Sequence, residues 1–180
     1  MAGKVDVLPR WVDPFKMADQ RASLDGNVPF SCMQRLDDAG LRPGGDDARA
    51  RLEFDRHPDG FGLVRIGVRA RLLCVCQRCL GEMNLDIDRR SNLAIADTQA
   101  EDTGQKEGYE TVAPVDGRLA VRLLVEDEIL LAVPDIPMHE DTADCDNEVL
   151  ALQVTPDAER QDGPRGNPFE VLRELRNRKD

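Results

Sequence analysis

Three of the five cysteines, Cys74, Cys76 and Cys79, fall within six residues of one another. Cys76 and Cys79 form a Cys-x-x-Cys pair, a spacing whose recurrent uses are metal coordination and dithiol chemistry. Far downstream, His139 and Cys145 supply a second pair of donors. Together the four would offer three thiolates and an imidazole to a tetrahedral ion, which makes zinc the candidate cofactor. The second pair is more widely spaced than usual, and roughly sixty residues between the pairs would have to fold back. The plainer reading keeps Cys74 and Cys76 as small hydrophobes on an apolar face and puts Cys79 in a turn.

Other chemistry is less well supported. A thioredoxin-type dithiol needs its first cysteine at a helix start, where the helix terminus lowers the thiol pKa; here a strand precedes Cys76 and a hairpin follows. Cys79 with His139 would make a nucleophilic pair, but nothing local brings them together and no oxyanion loop is apparent. Glu126, Asp127 and Glu128 invite thoughts of acid–base work, yet consecutive helix positions point in different directions, and a solvated helical face is the expectation. There is no Walker-type phosphate loop and no well-placed dinucleotide fingerprint. No catalytic residue is assigned.

Aromatic residues make up 4% of the chain, with Trp11 and Tyr109 alone of their types, so a base-stacking surface is absent from the composition. Local RNA contact has better candidates. Arg65, Arg69, Arg71 and Arg78 lie in a stretch without acids, and guanidinium forks suit phosphate oxygens. The competing reading pairs Arg69 and Arg71 with acids on adjacent strands.

The whole chain sets bounds on these readings. Its 180 residues suit a single domain, and 41% hydrophobic with 33% charged residues is a globular composition. A net charge of -11 argues against general adhesion to nucleic acid or to an anionic membrane, and favours a basic partner. The opening residues lack a secretory pattern and no apolar run is long enough to span a bilayer. A cytoplasmic protein with reduced thiols is expected.

The elements that must position these residues are clearest in the middle. Val64, Ile66, Val68, Ala70, Leu72, Cys74 and Cys76 alternate with Arg65, Arg69 and Arg71, which predicts a long half-buried strand. After Gly81 the alternation resumes through Met83, Leu85 and Ile87, then Leu93 and Ile95, so the two strands should form an antiparallel hairpin. Setting Cys76 opposite Met83 places Arg71 opposite Asp88. Earlier, Asp13 and Pro14 predict a short helix over residues 12–18. Asp25-Gly26 reads as a turn among short strands over residues 21–36. Residues 39–47 read as a loop, and residues 51–56 as a strand.

Later, residues 119–133 carry Val121, Val125, Ile129 and Val133 at helical spacing, with Asp116 as cap and Pro134 and Pro137 as stops. Flexible acidic loops are expected near residues 97–112 and 140–166. A terminal helix over residues 168–178 has Asn167 as cap, Pro168 at its first position and Glu170 at its third. Its basic turns include Arg173 and Arg176, which join the candidate contacts to nucleic acid or a partner.

Three motifs can now be taken in order. They are CQRCL from Cys76 to Leu80, VEDEILLAVP from Val125 to Pro134 running on to Met138, His139, Glu140 and Cys145, and GNPFEVL from Gly166 to Leu172. Their order and spacing resemble the YceD family of large ribosomal RNA subunit accumulation proteins. The resemblance covers most of the chain from about Leu52 onward and fits the opening third only loosely.

The resemblance implies a non-enzymatic role in ribosome biogenesis, supporting accumulation of 23S ribosomal RNA and of the large subunit. It implies a large-subunit ribosomal protein or a 23S precursor as partner, and supplies no catalytic residues. A zinc-stabilised protein-interaction module, or a thiol-dependent redox or RNA-processing enzyme, are the competing classes. The expected architecture is one α+β domain over residues 1–180: an antiparallel sheet centred on the long hairpin, packed against one main helix, with a short C-terminal helix.

Overall fold

The computed structural model describes residues 3–96 and 108–145, and these form an α+β structure with few helices. In chain order, β1 (Gly3–Val7) and β2 (Trp11–Val12) lead into α1 (Pro14–Asp19), followed by β3 (Ser23–Val28). A single 3-10 turn (Phe30–Cys32) precedes α2 (Gln34–Asp38). Strands β4 (Arg42–Pro43), β5 (Ala48–Arg56), β6 (Gly62–Val75) and β7 (Glu82–Ile95) follow. Then come β8 (Glu110–Val112), β9 (Leu119–Ala120) and α3 (Val121–Leu130). The main sheet runs β1-β3-β5-β6-β7-β8, with β4 added against β6, while β2 and β9 pair separately. The terminal helix expected over residues 168–178, with Arg173 and Arg176, lies outside the described residues. So do the acidic stretches at 97–107 and 146–166.

The β6–β7 hairpin is the spine of the sheet, and period two explains it. Val64, Ile66, Val68, Leu72 and Cys74 are buried on one side of β6, while Arg65, Arg69 and Arg71 face out. Ala50, Leu52 and Phe54 of β5 and Met83, Ile87, Leu93 and Ile95 of β7 extend the same apolar layer. The register differs from the expected one by two residues: Cys74 sits opposite Met83, and Arg71 opposite Asp86. The cause is the tip. Cys76 is not a strand residue; its N–H donates to the Gly81 carbonyl at 2.9 Å, so residues 76–81 form a turn and the ladder starts at Val75 and Glu82. A two-residue slip preserves side-chain parity, which is why the cross-strand charge pairing survives it.

Local chemistry accounts for several other elements. Asp13 caps α1 by accepting from the Lys16 amide at 3.0 Å, with Pro14 in the first turn as expected. Asp25-Gly26 is no turn: Gly26 lies within β3 opposite Ala50, and the absence of a side chain fits its buried position. The segment after β3 is helical rather than strand. Residues 110–112, expected to be loop, instead add a parallel strand to β7.

Asp116 does not cap the main helix. With Gly117 it makes a tight turn in which both residues have positive φ (50° and 71°), bridging Val115 and Arg118 as a type I′ geometry requires. Leu119 and Ala120 then pair with Val12 and Trp11 before α3 begins at Val121. Helix α3 packs against β6 and β7 on one side and α2 on the other.

Candidate metal centre and its surroundings

At the hairpin tip the chain makes a compact knuckle. Leu80 donates to the Cys76 carbonyl at 2.9 Å and takes a left-handed conformation (φ 60°), which turns the chain back towards Gly81 and β7. This geometry presents the sulfurs of Cys76 and Cys79 to the same side. Residues 131–145, leaving α3, cross the tip as a strap, and the Gln77 amide donates to the Pro137 carbonyl at 2.8 Å. The strap ends in a 3-10 turn (Thr142–Asp144) whose cap, Asp141, accepts from the Ala143 amide at 2.9 Å.

The four donors singled out in the sequence therefore meet. The ligand atoms of Cys76, Cys79, His139 and Cys145 all lie within 4.8 Å of one another. His139 Nδ1 stands 3.6 Å from Cys79 Sγ and 3.5 Å from Cys145 Sγ. All three cysteines are buried and none is in a disulfide. Cys74 stands outside this group, on the inward face of β6, where burial pushes its thiol up. The donor set, three soft thiols and one imidazole, is the one that zinc takes.

The electrostatics of the cluster are uneven. Burial alone would raise the Cys76 thiol, but backbone N–H groups of Cys79, His139 and Arg78 direct hydrogen bonds at its sulfur and bring it to about 5. Cys145 moves the other way, raised by burial despite the neighbouring Arg78 guanidinium. Arg78 is held in its charged form chiefly by its bond to Cys145. It donates from Nε to Cys145 Sγ at 3.2 Å and from Nη2 to the His139 carbonyl at 2.7 Å and the Asp141 carbonyl at 3.4 Å. Arg78, one of the arginines considered for phosphate contact, is thus placed inside the knuckle, spanning tip and strap.

The remaining candidate arginines line the outer sheet face in cross-strand pairs. Arg65 reaches Asp55 at 3.1 Å and Arg69 reaches Asp88 at 3.0 Å. Arg71 grips Asp86 with two bonds, 2.6 and 3.2 Å long, and their contact keeps the Asp86 carboxyl below its ordinary range. Arg49 pairs with Asp25 in the same way. This face alternates charge rather than presenting a basic stripe.

The helical acids depart from expectation. Glu126 and Glu128 are buried, not solvated, because α3 is flanked on both sides. Glu126 accepts from the Arg35 amide at 2.8 Å and from Arg35 Nε at 3.1 Å, while half-exposed Asp127 takes Arg35 Nη1 at 2.6 Å. Glu128 accepts from Arg89 Nε at 2.7 Å and Ser91 Oγ at 2.5 Å. Two positions along a helix are rotated by about 200°, so the two carboxylates serve opposite neighbours and form no acid–base pair. The partners were missed in the sequence, although a signal existed: Arg89 and Ser91 occupy the parity of Met83 and Ile87, the inward face, where a polar side chain demands a buried partner.

Among the described residues, no helix is long and apolar enough to cross a membrane. Comparison with known proteins adds identity to geometry. A family model described as large ribosomal RNA subunit accumulation protein YceD matches residues 64–176. A Haemophilus influenzae protein of that same name is 27% identical over 173 residues, spanning 94% of this chain and 96% of its own. No solved structure matches.

Proposed function

The chain belongs to the YceD family, and from that membership we propose that it is a non-enzymatic ribosome biogenesis factor supporting accumulation of 23S ribosomal RNA and assembly of the large subunit. The family match carries this reading. A non-catalytic role is supported by how the reactive groups are used: both buried carboxylates are held by arginines, and three thiols close around one imidazole. We take residues 1–180 to act as one domain, in the cytoplasm.

A basic large-subunit ribosomal protein is the partner class that the charge favours. The net charge is -11, and Arg65, Arg69 and Arg71 face acids at ion-pair distance, so a phosphate backbone would have to compete with Asp55, Asp88 and Asp86 for them. Direct contact with pre-ribosomal RNA through these residues, or through Arg173 and Arg176, is the competing outcome. A second reading, a metal-stabilised protein-interaction module, is favoured by the convergence of the four donors and is compatible with the first.

Depleting the protein from growing cells should lower 23S relative to 16S ribosomal RNA and reduce large subunits. Tagged full-length protein should recover large-subunit proteins, and crosslinking with residue-level readout would separate protein contact from RNA contact. Recovery of neither large-subunit proteins nor 23S precursors, with an unchanged 23S level on depletion, would overturn the proposal.

A further inference from the structure

We propose that Cys76, Cys79, His139 and Cys145 bind one zinc ion in a closed tetrahedral site, and that this ion is what fastens the strap of residues 131–145 to the hairpin tip. The inference goes beyond the ribosomal reading and stands or falls separately from it.

The spacing of the donors suits an ion after a small contraction: all four ligand atoms lie within 4.8 Å of one another, against S···S edges of about 3.8 Å in a zinc–thiolate tetrahedron. Zinc lies about 2.3 Å from thiolate sulfur and about 2.0–2.1 Å from imidazole nitrogen, so a tetrahedron built on those radii has S···N edges of about 3.5 Å. His139 Nδ1 lies 3.6 and 3.5 Å from two sulfurs, which is this edge length and also that of a thiol–imidazole hydrogen bond. Disulfide formation would instead draw two sulfurs to about 2.0 Å, and all of these cysteines are free. Thiolates and imidazole select zinc over the oxygen-seeking divalent ions, and four protein donors leave no open position for a reacting water.

The surroundings fit the charge of such a site. Three thiolates and a neutral imidazole around a divalent ion carry one net negative charge. Arg78 sets its guanidinium against Cys145 Sγ and ties the His139 and Asp141 carbonyls to the same fork. That is the arrangement by which an outer-sphere group orients ligands and balances their charge.

Packing says what an ion adds. Along residues 134–144 every side chain is half-buried or exposed, and Cys145 alone is buried. Ile136 and Met138 point substantial apolar surface to solvent at 62% and 46% exposure. With so little apolar area removed from water beyond Val133, hydrophobic burial adds little to the hydrogen bonds from Gln77 and Arg78 in holding the strap against its chain entropy. Metal binding adds more, because its free energy becomes folding free energy for the segment that supplies ligands.

The test uses full-length protein purified under reducing conditions without chelator. Metal analysis should find about one zinc per chain, and cobalt exchanged for it should give the intense visible bands of tetrahedral thiolate coordination. Cys79→Ser and Cys145→Ser should lose the zinc, while Cys32→Ser and Cys74→Ala keep it. Should the ligand variants fail to fold, thiol labelling of the wild type decides: Cys76, Cys79 and Cys145 should resist modification until a chelator is added, then react. Folded wild-type protein that carries no zinc and takes up no cobalt overturns the proposal, as does zinc retained at full stoichiometry in Cys145→Ser.

Discussion

Arg89 and Glu128 meet at 2.7 Å beneath α3, the arginine rising from the inward face of β7 and the carboxylate descending from the helix. The Glu128 side chain is 3% exposed and that of Arg89 is 29% exposed. Removing one partner strands a charge in an apolar layer. Arg89→Met, which leaves the buried Glu128 carboxylate without its counter-ion, is therefore expected to cost about 3–5 kcal/mol, measured by urea unfolding. Arg89→Met combined with Glu128→Leu should recover much of that loss. A double variant as unstable as the single one would show that the pair contributes more than charge compensation.

Gly44 lies against β6, its amide donating to the Arg71 carbonyl at 2.9 Å. A Cβ there would come within 2.9 Å of the Leu72 carbonyl carbon, which is backbone and cannot swing aside, whereas at Gly45 the nearest atom is 3.7 Å away. Gly44→Ala should destabilise by roughly 1–3 kcal/mol. Gly45→Ala should be close to neutral, and thermal melts of the two side by side check the contrast.

Asp86 carries a pH dependence of known sign. Its carboxyl is held below the ordinary carboxylate value by the hydrogen bonds from Arg71, so the pair adds stability above that value and loses it as pH falls through the lowered one. The pair is exposed, so the contribution is small. Carboxyl titration followed by NMR should give Asp86 a depressed midpoint that returns to the ordinary range in Arg71→Gln.

Arg78→Lys preserves the charge but not the fork that reaches Cys145 Sγ and two strap carbonyls. Zinc affinity should fall by about 10–100-fold, read by competition with a chromophoric chelator. Hydrogen exchange of the Gln77 amide, which bonds to Pro137, should accelerate in the same variant.

Regular alternation made β6 and β7 legible, since each strand buries one face and period two is a local property. Their register was not legible to the residue, because it depends on how many residues the knuckle consumes. Gly26 inside β3 and Leu119–Ala120 as a strand escaped for a related reason: the partners, Ala50 and Trp11–Val12, lie far away in sequence. The four metal donors could be named from type and spacing. Their convergence could not, because it rests on a strap whose course is set by the hairpin tip. Glu126 and Glu128 looked solvated because helical position alone does not reveal that α3 has neighbours on both sides.

The family match opens at Val64, inside β6 rather than at a loop. Val64 is hydrogen-bonded into a ladder whose other rail is β5, with Phe54 opposite. A fragment trimmed to the matched region would bare the β5 side of β6, one of the two longest strands of the sheet, along its ladder. It would also take Arg35 away from Glu126, stripping a buried carboxylate of its counter-ion. The opening third, though the least recognisable part of the sequence, is the scaffold on which the recognisable part depends.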